Sequence, residues 1–463
     1  MRAPTRYNLR SFLPIAAGAC WLAAGEGIGL LFTMLPGALL LSAGMALLFM
    51  PGDVRIPRMM AVGGILGLLL APFFWAFDDG ALLAALLSAG SLVLSGREGL
   101  RLMPNTPGVP PPPEDLKTYA RAALDEALLG YFSGTASVPA GQLAEDSIRT
   151  LKAQREAIER LGFDRKPAAL HGAPEAPEHV VWHNRSLFGM DYRSLHFDSE
   201  FVPHAELPGA DAWKRFDANR QTAAWVFEHE EGEDRPWLLC VHGYRMGHPA
   251  MDFSLFPPRV LHEKYGLNLL MPVLPLHGMR RSGRITGSEF LDGDLGDLLH
   301  AECQTLWDLR RHVAWLRARG ARRIGALGFS LGGYNTALLA QHEALDFAIA
   351  GIPVADLAGV LWPNLPDLHQ RYFAHLGAEP DLLRAALQPV SPLAYAPVIP
   401  QSRRFIFGGL ADRLVPPAEV ARLAAHWAIE PTWYPGGHVT FRGSGVVTRE
   451  LRRAMEVAEW PSA

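Results

Sequence analysis

The chain has 463 residues, a formal net charge of −4 and a hydrophobic fraction of 49%. A chain of this length usually contains more than one domain. The slight acidic excess gives no reason to expect a nucleic-acid partner, because nucleic-acid-binding proteins carry an excess of basic side chains. The three cysteines, Cys20, Cys240 and Cys303, lack the spacing of a disulfide framework or a zinc site, which suits a reducing compartment.

Residues 1–103 hold most of the apolar excess. Glu26 is the only acid or base between residues 12 and 50, and Asp78 and Asp79 are the only ones between 59 and 95. With a charged break around Arg55, these acids leave four apolar pieces, at about 12–25, 28–50, 59–77 and 81–95. The second and third are long enough to span a bilayer, whereas the first and last are short. We predict a membrane anchor of four helices in two hairpins.

Arginines flank these pieces on one side of the predicted hairpins: Arg2, Arg6, Arg10, Arg55, Arg58, Arg97 and Arg101. The positive-inside rule therefore places the amino terminus and the rest of the chain in the cytoplasm. If only three pieces span, the remainder of the chain faces the other side. Two alternatives stay open. One is a cleaved signal peptide, which leaves the second apolar block unexplained, and the other is a buried soluble helical subdomain.

The region after the anchor begins with a boundary. Residues 104–113 include four consecutive prolines and predict a stiff, extended linker. Residues 114–190 predict a helical pre-domain, with Ala- and Leu-rich periodicity up to Leu161 that is interrupted between Gly130 and Gly141. No residue of this segment is assigned a function.

Residues 191–463 alternate between strand-like and helix-like segments. This pattern predicts an α/β fold with a doubly wound, mostly parallel sheet of eight strands. The first two strands lack a helix between them and are expected to form an antiparallel hairpin at the edge of the sheet. The predicted strands lie at about 194–202, 222–229, 236–241, 267–273, 323–328, 346–352, 404–409 and 431–435.

A nucleophile motif follows the fifth predicted strand. Gly328-Phe329-Ser330-Leu331-Gly332 has the pattern G-x-S-x-G, and a helix-compatible run follows from Tyr334 to Gln341. A serine on a strained strand-to-helix turn needs small neighbours, so that strand and helix can pack closely and the hydroxyl stands clear. The helix that follows directs unpaired N–H groups towards an anion forming beside the serine.

Two further polar residues follow strands in a set order. Asp412 comes after the predicted strand 404–409, and His438 comes after 431–435. Each residue taken singly is more often structural. In the order Ser, Asp, His, each after a strand, they resemble the α/β-hydrolase superfamily over roughly residues 194 to the carboxyl terminus. In His242-Gly243-Tyr244, the loop through His248 and the basic loop from Leu276 to Arg284, the sequence is also similar to the abhydrolase-domain-18 group within that superfamily.

The resemblance implies a role for each residue. Ser330 would be the nucleophile, His438 its base and then acid, and Asp412 the carboxylate that orients the imidazole. The main-chain N–H groups of Leu331 and Tyr244 would form the oxyanion hole. Asp356 and Asp367 are weaker rivals for the acid, since both lie in a segment, about 355–397, where this superfamily commonly inserts a helical cap.

Further residues are candidate substrate contacts. The cap segment carries Trp362 among other apolar residues, which either roof the serine or are the packing face of ordinary helices. His242 and His248 follow the third strand, and His242 is expected to support its loop rather than transfer protons. His277, Arg280 and Arg281 follow the fourth strand, where α/β sheets bind ligands. These arginines would bind a carboxylate or phosphate. The favoured interpretation is instead a loop that is solvated or that pairs with nearby Asp292, Asp294 and Asp297.

The sequence therefore predicts a membrane-anchored, cytoplasm-facing serine hydrolase that cleaves hydrophobic or lipid-like carboxylic esters. It implies no metal and no organic cofactor. The alternatives are a peptidase or thioesterase with the same triad, and a membrane scaffold that has lost activity.

Overall fold

The computed structural model describes residues 8–75, 80–230 and 235–461. Four residues of the sequence-based topology argument, Arg2, Arg6, Asp78 and Asp79, lie outside these ranges. The described residues form sixteen α-helices and nine β-strands, together with 3-10 helices and a π-helical segment, Arg259–Lys264.

Four helices form the amino-terminal bundle: α1 (Phe12–Ala24), α2 (Leu30–Phe49), α3 (Arg55–Trp75) and α4 (Gly80–Arg101). Three described helical stretches are long and apolar enough to cross a membrane, judged by length and composition: Gly27–Phe49, Arg55–Phe74 and Gly80–Arg101. The expectation that the fourth apolar piece is short was wrong. Its helix runs on past Ser95, and Glu98 pairs there with Arg97 and Arg101 on the same helix.

The bundle has an apolar core and an apolar outer surface. Trp21, Leu40 and Met60 are fully buried between the helices. In contrast, Leu31 and Phe73 are 67% and 70% exposed, on the outside of α2 and α3. An apolar exterior of this kind marks a surface that contacts lipid or another protein.

The chain folds into two compact units. Unit 1 contains the described residues up to Thr135, together with Gly409–Ala418 and Trp433–Ser444. It therefore combines the amino-terminal bundle and α5 (Leu116–Thr135) with two loops from the far end of the sequence. Unit 2 contains Ala136–Gly408, Glu419–Thr432 and the described residues from Gly445 onward. Residues 102–115, which include the Pro-rich segment, join α4 to α5 without a helix or strand.

The sheet has nine strands in the order β1-β2-β3-β5-β4-β6-β7-β8-β9. The strands are β1 (Val181–Leu187), β2 (Met190–Asp198), β3 (Gln221–Phe227), β4 (Trp237–Val241), β5 (Asn268–Pro272), β6 (Ile324–Phe329), β7 (Phe347–Gly351), β8 (Arg404–Gly409) and β9 (Thr432–Tyr434). The strands β1, β2, β3 and β5 pair antiparallel, whereas β5, β4, β6, β7 and β8 pair parallel.

The predicted fold class is confirmed, and β2 and β3 pair antiparallel as predicted, but the strand count was one too low. The expectation of an edge hairpin was wrong, because β1 occupies the edge and a short helix, Ala210–Trp213, lies between β2 and β3. The missed strand is β1, which lies within the segment predicted as a helical pre-domain. It pairs with β2 from Val181 opposite His196 to Leu187 opposite Met190. Its side chains are mostly exposed and polar, as is common on an edge strand, so the apolar pattern of the inner strands is absent.

Eleven helices follow α5: α6 (Gln142–Leu161), α7 (Ala210–Trp213), α8 (Pro249–Leu255), α9 (Ser288–Leu291), α10 (Leu298–Ala318), α11 (Leu331–Leu339), α12 (Leu357–Leu361), α13 (Asp367–His375), α14 (Pro380–Leu387), α15 (Pro417–Trp427) and α16 (Val446–Val457). The helices α12, α13 and α14 occupy the segment predicted as a cap. This segment is tied to α6, where Lys152 Nζ donates to the Leu376 carbonyl over 2.7 Å. Some apolar side chains of this segment are buried and others are exposed to solvent: Phe373 is buried, whereas Leu368 is 78% exposed.

Candidate active site

Ser330 lies on a strained turn of unit 2, between the end of β6 and the start of α11. Its backbone has φ +58° and ψ −118°, a conformation that residues other than glycine rarely adopt. Two main-chain hydrogen bonds hold it there. The Ser330 N–H donates to the Gly351 carbonyl over 3.0 Å, and the Ser330 carbonyl accepts from the Tyr334 N–H over 3.0 Å. The turn is thus the strand–turn–helix elbow predicted from the sequence.

The glycines around Ser330 permit close backbone approaches. A Cβ on Gly328 would lie 2.1 Å from the Gly332 carbonyl oxygen, and one on Gly332 would lie 2.0 Å from the Val241 carbonyl oxygen. Both neighbours are backbone atoms of the elbow or of β4, so they cannot rotate away as a flexible side chain can. The spacing of the motif follows from these contacts.

The loop after β4 lies beside the elbow. A Cβ on Gly243 would be 3.6 Å from Ser330 Cβ and 3.3 Å from the Phe329 carbonyl oxygen. Tyr244, whose N–H is a predicted oxyanion donor, is the next residue along this loop. The second predicted donor is Leu331, the first residue of α11, where helix geometry leaves N–H groups without an intrahelical partner.

The loops after β8 and β9 of unit 1 bring the other two predicted residues together. His438 Nδ1 lies 2.8 Å from Asp412 Oδ2, and both side chains are buried. Because a carboxylate only accepts, Nδ1 carries the hydrogen and Nε2 is left as the basic nitrogen. The other carboxylate oxygen, Oδ1, accepts from the N–H groups of Leu414 and Val415 over 3.0 and 2.8 Å.

The surroundings of His438 favour its protonated form. Burial lowers the pKa of the imidazole, but the charge and hydrogen bond of Asp412 and the charge of Asp125 outweigh it, so the pKa is raised. The rival acid Asp356 of unit 2 is engaged elsewhere. Its Oδ2 accepts from Arg384 Nε over 2.5 Å and from Arg422 over 3.0 Å.

Two relatives match the chain over most of its length. The uncharacterized protein MT2702 of Mycobacterium tuberculosis (strain CDC 1551 / Oshkosh) is 37% identical over 343 residues, covering 73% of this chain and 81% of that protein. The uncharacterized protein Rv2627c of strain ATCC 25618 / H37Rv is 39% identical over 297 residues, covering 63% of this chain and 70% of that protein. At this identity and coverage, the chain and MT2702 share a family.

The family model named Peptidase_S9, the prolyl oligopeptidase family, matches residues 285–429, a range that includes Ser330 and Asp412. The chain belongs to the α/β-hydrolase superfamily of serine hydrolases.

Solved structures with similarity to this hydrolase include both esterases and peptidases. Acetyl xylan esterase 1 from Thermoanaerobacterium sp. JW/SL YS485 is 14% identical with a TM-score of 0.41, covering 63% of this chain and 98% of that one. Oligopeptidase B from Leishmania major is 15% identical with a TM-score of 0.39, covering 60% of this chain and 37% of that one.

Among the predicted substrate contacts, His242 has both ring nitrogens occupied by the main chain. Nδ1 donates to the Gly243 carbonyl over 2.8 Å, and Nε2 accepts from the Leu274 N–H over 3.1 Å. Burial lowers the pKa of His242 to about 4, so the ring is neutral at physiological pH. The geometry favours the supporting role over a direct contact with substrate.

The basic loop after β5 does not present a cluster of arginines to an anion. Arg280 is buried, and it donates to Asp308 Oδ2 over 2.7 Å and to the Val273 carbonyl over 2.9 Å. The prediction of a solvated loop, or of pairing with Asp292, Asp294 and Asp297, was therefore wrong for Arg280, whose partner is Asp308 on α10. Arg281 is exposed, and its guanidinium donates to the Gly278 carbonyl over 3.1 Å.

The remaining candidates are placed as follows. His277 is fully buried, with Nδ1 2.8 Å from the Pro275 carbonyl oxygen, and burial lowers its pKa. His248 is half-buried and immediately precedes α8. Trp362 is half-buried in the predicted cap, with its ring centroid 6.1 Å from that of Phe373. No group of three or more His, Cys, Asp and Glu residues within 8–75, 80–230 and 235–461 is arranged to hold a metal ion.

Two charged groups close to the predicted site were missed. Arg245 follows Tyr244 and is buried against Asp292, with 2.6 Å between the guanidinium and the carboxylate. Asp125 of α5 contacts the loops of unit 1 that carry Asp412 and His438. A signal for Asp125 exists, because it lies in the buried stripe Thr118, Ala122, Asp125 and Leu129, at helical spacing. An acid within such a stripe needs a polar partner.

Proposed function

We propose that the chain is a membrane-anchored serine hydrolase that cleaves hydrophobic or lipid-like carboxylic esters through Ser330, His438 and Asp412. The observation that carries the proposal is the buried 2.8 Å hydrogen bond between His438 Nδ1 and Asp412 in a chain whose Ser330 occupies a nucleophile elbow. A pure scaffold has no requirement for either feature, and the two together are the parts of an activated nucleophile.

The mechanism follows from the protonation states. His438 Nε2 removes the proton from Ser330 Oγ as the oxygen attacks the ester carbonyl. Asp412 keeps the hydrogen on Nδ1 and stabilises the imidazolium that forms. The tetrahedral intermediate collapses when the imidazolium protonates the leaving alcohol, which leaves an acyl group on Ser330. Water then attacks this acyl-enzyme with His438 again acting as the base.

The oxyanion is held by main-chain donors in this proposal. The N–H groups of Leu331 and Tyr244 would donate hydrogen bonds to the negatively charged carbonyl oxygen. Little reorganisation is needed, because the backbone is already fixed. The close approach of Gly243 to Ser330 supports this assignment, since it brings the Tyr244 loop to the elbow. The Arg245–Asp292 pair would hold the loop in place.

The ester and lipid preference rests on the amino-terminal bundle. Its three long apolar helices and their exposed apolar side chains favour placement at a bilayer, where acyl substrates partition. The arginines at the helix ends favour a cytoplasmic catalytic domain. Resistance of the full chain to alkaline extraction from membranes is the expected result, and release into the soluble fraction would contradict the anchor.

A peptide substrate is the second candidate. The match of residues 285–429 to the prolyl oligopeptidase family model favours it. Peptidases of this kind use the same chemistry, with an amine rather than an alcohol as the leaving group. The two candidates share the catalytic residues and differ in the bond that is cleaved, so substrate panels separate them.

The deciding experiment is labelling of the detergent-solubilised protein with a fluorophosphonate probe, comparing the wild type with Ser330→Ala. We expect labelling of the wild type and its loss in the variant. Turnover of long-chain p-nitrophenyl esters and acylglycerols in mixed micelles would then be compared with that of blocked prolyl p-nitroanilides. Activity on the anilides alone would replace the ester proposal with the peptidase. A folded wild type that takes no label would favour the inactive scaffold.

A further inference from the structure

One carboxylate of α5 accepts hydrogen bonds from both loops that carry the acid–base pair. Asp125 Oδ2 accepts from the N–H of His438 over 2.6 Å and from the N–H of Arg413 over 3.0 Å. Asp125 Oδ1 accepts from the N–H of Val439 over 3.2 Å. Arg413 directly follows Asp412, so a single side chain fixes the backbone on either side of the pair.

The fit around Asp125 is close. Its side chain is fully buried, and a Cβ on Gly437 would lie 2.5 Å from Asp125 Oδ2. Only glycine at position 437 therefore lets the carboxylate reach the His438 N–H at its observed position. Asp125 therefore restricts the residue type that can precede the predicted catalytic histidine, although Asp125 and His438 are 313 residues apart in the sequence.

The helix that carries Asp125 is held by the apolar bundle. A Cβ on Gly96 of α4 would lie 1.9 Å from the Tyr119 carbonyl oxygen of α5, so the two backbones are in direct contact. The neighbouring acid Glu126 is also fully buried, and its Oε1 accepts from Arg413 Nε over 2.6 Å. The contacts form a continuous path from α4, through α5, to the Asp412 and His438 loops.

We propose that Asp125 is a positioning residue for the Asp412–His438 pair, so that the apolar bundle is part of the catalytic unit rather than only an anchor. This inference rests on the function proposed above. One buried carboxylate accepts hydrogen bonds from three main-chain N–H groups of these loops. These hydrogen bonds fix the position and orientation of the His438 ring relative to Asp412. Burying a carboxylate is costly unless it is hydrogen-bonded in this way, and the bundle holds it there.

The charge of Asp125 gives this role a measurable signature. Burial raises the pKa of Asp125 to about 7, and the charge of Asp412 adds to the rise, whereas His438 and the bound N–H groups oppose it. The charge of Asp125 in turn raises the pKa of His438. The titratable and charged groups near these two are Asp412, Tyr434, Arg121, Arg413, Glu126 and Arg58. Removing the Asp125 charge therefore lowers the pKa of His438.

The test measures the rate of fluorophosphonate labelling of Ser330 against pH, using the full chain in detergent. Asp125→Asn keeps an oxygen for the His438 and Arg413 N–H groups but loses the charge. We expect it to label well, with the acid limb shifted to lower pH by roughly half a unit or more. Asp125→Ala loses all three hydrogen bonds, and we expect its rate to fall about 100-fold, as for a displaced catalytic group. Gly437→Ala should reproduce that loss.

The matched control is Glu126→Gln, which removes a buried acid from the adjacent position of the same helix. Glu126 contacts the side chain of Arg413 and makes no hydrogen bond to the backbone of His438. We expect a lower melting temperature with the acid limb at its wild-type pH. An equal shift in both variants, or wild-type rate and profile in Asp125→Ala, would overturn the inference. If Asp125→Ala does not fold, the comparison of Asp125→Asn with Glu126→Gln decides. Absence of labelling in the wild type would instead overturn the proposed function, and this inference with it.

Discussion

The elbow of unit 2 and the acid–base loops of unit 1 are built by different means. At the elbow, backbone packs against backbone, and the glycines at 328 and 332 permit contacts that no side chain would allow. The residues that shape it lie within a few positions of Ser330 or on an adjacent strand. In the acid–base loops, buried carboxylates hold the backbone instead. Asp412 accepts from two N–H groups and Asp125 from three.

This difference separates what is locally encoded from what is assembled. The elbow depends on a short motif and tolerates no added volume. The acid–base loops depend on charges whose partners lie 288 and 313 residues apart along the chain. We therefore expect the elbow to fail through steric clash and the acid–base loops to fail through lost charge and hydrogen bonding. Four predictions test that contrast.

The largest effect is expected for Asp412→Asn. The amide would no longer fix the hydrogen on His438 Nδ1, so we expect kcat to fall about 10⁴-fold. Ester hydrolysis by the purified protein measures it. The control is Asp356→Asn, which removes the rival acid from its contacts with Arg384 and Arg422. A larger loss in the control would assign the catalytic acid to Asp356.

A smaller loss is expected for Gly332→Ala. The added Cβ would lie 2.0 Å from the Val241 carbonyl oxygen and 2.5 Å from that of His242, so strand and helix must separate. We expect destabilisation of about 1–3 kcal/mol and a fall in labelling rate of about 100-fold. Thermal unfolding and probe labelling measure these two quantities. Gly134→Ala, where a Cβ meets nothing within 4 Å, should label at the wild-type rate and should not be destabilised. An active, stable Gly332→Ala protein would break the steric account of the elbow.

The next prediction concerns α4, which is distant in sequence from every proposed catalytic residue. Gly96→Ala places a Cβ 1.9 Å from the Tyr119 carbonyl oxygen and 2.6 Å from the Ala123 nitrogen. The resulting shift of α5 should displace Asp125 and reduce the labelling rate about tenfold, since displacements below 1 Å already matter at a catalytic group. Gly90→Ala on the same helix meets only the flexible Leu13 side chain, at 3.2 Å, and should label normally. Equal rates in the two variants would uncouple the bundle from the acid–base loops.

The smallest effect is on stability. Glu302 on α10 is fully buried near Asn335 of the elbow helix, and burial raises the pKa of its carboxyl group to about 8. Because the folded-state pKa is raised, the associated stability is present below the ordinary carboxyl pKa and is lost as the pH rises towards about 8. The slope is at most about 1.4 kcal/mol per pH unit.

Glu302→Gln imitates the neutral form and should flatten this dependence, so that its advantage in melting temperature grows between pH 5 and pH 8. Melting curves across that range measure it. Glu159→Gln, at an exposed position of α6, is the control and should follow the wild type. Parallel curves for Glu302→Gln and the wild type would show that the elbow region accommodates a buried charge without cost.

The sequence alone determined the parts of this protein that depend on local patterns. Runs of apolar residues predicted the long helices of the bundle, and alternating segments predicted the inner strands and the α/β fold class. The G-x-S-x-G spacing predicted the elbow, because its geometry depends on nearby glycines. The edge strand β1 was not predicted, because a polar, exposed strand carries no apolar pattern.

Only the tertiary structure decided the partners of the buried charges. It paired Arg280 with Asp308 of α10 rather than with the aspartates nearest in sequence, and it brought Asp125 of α5 to the backbone of His438. It also joined the loops of Asp412 and His438 to the apolar bundle in one unit, whereas the sequence pattern separated an anchor from a catalytic domain. The physical reason is that a buried charge requires a partner, but composition and periodicity do not specify which of many distant groups will supply it.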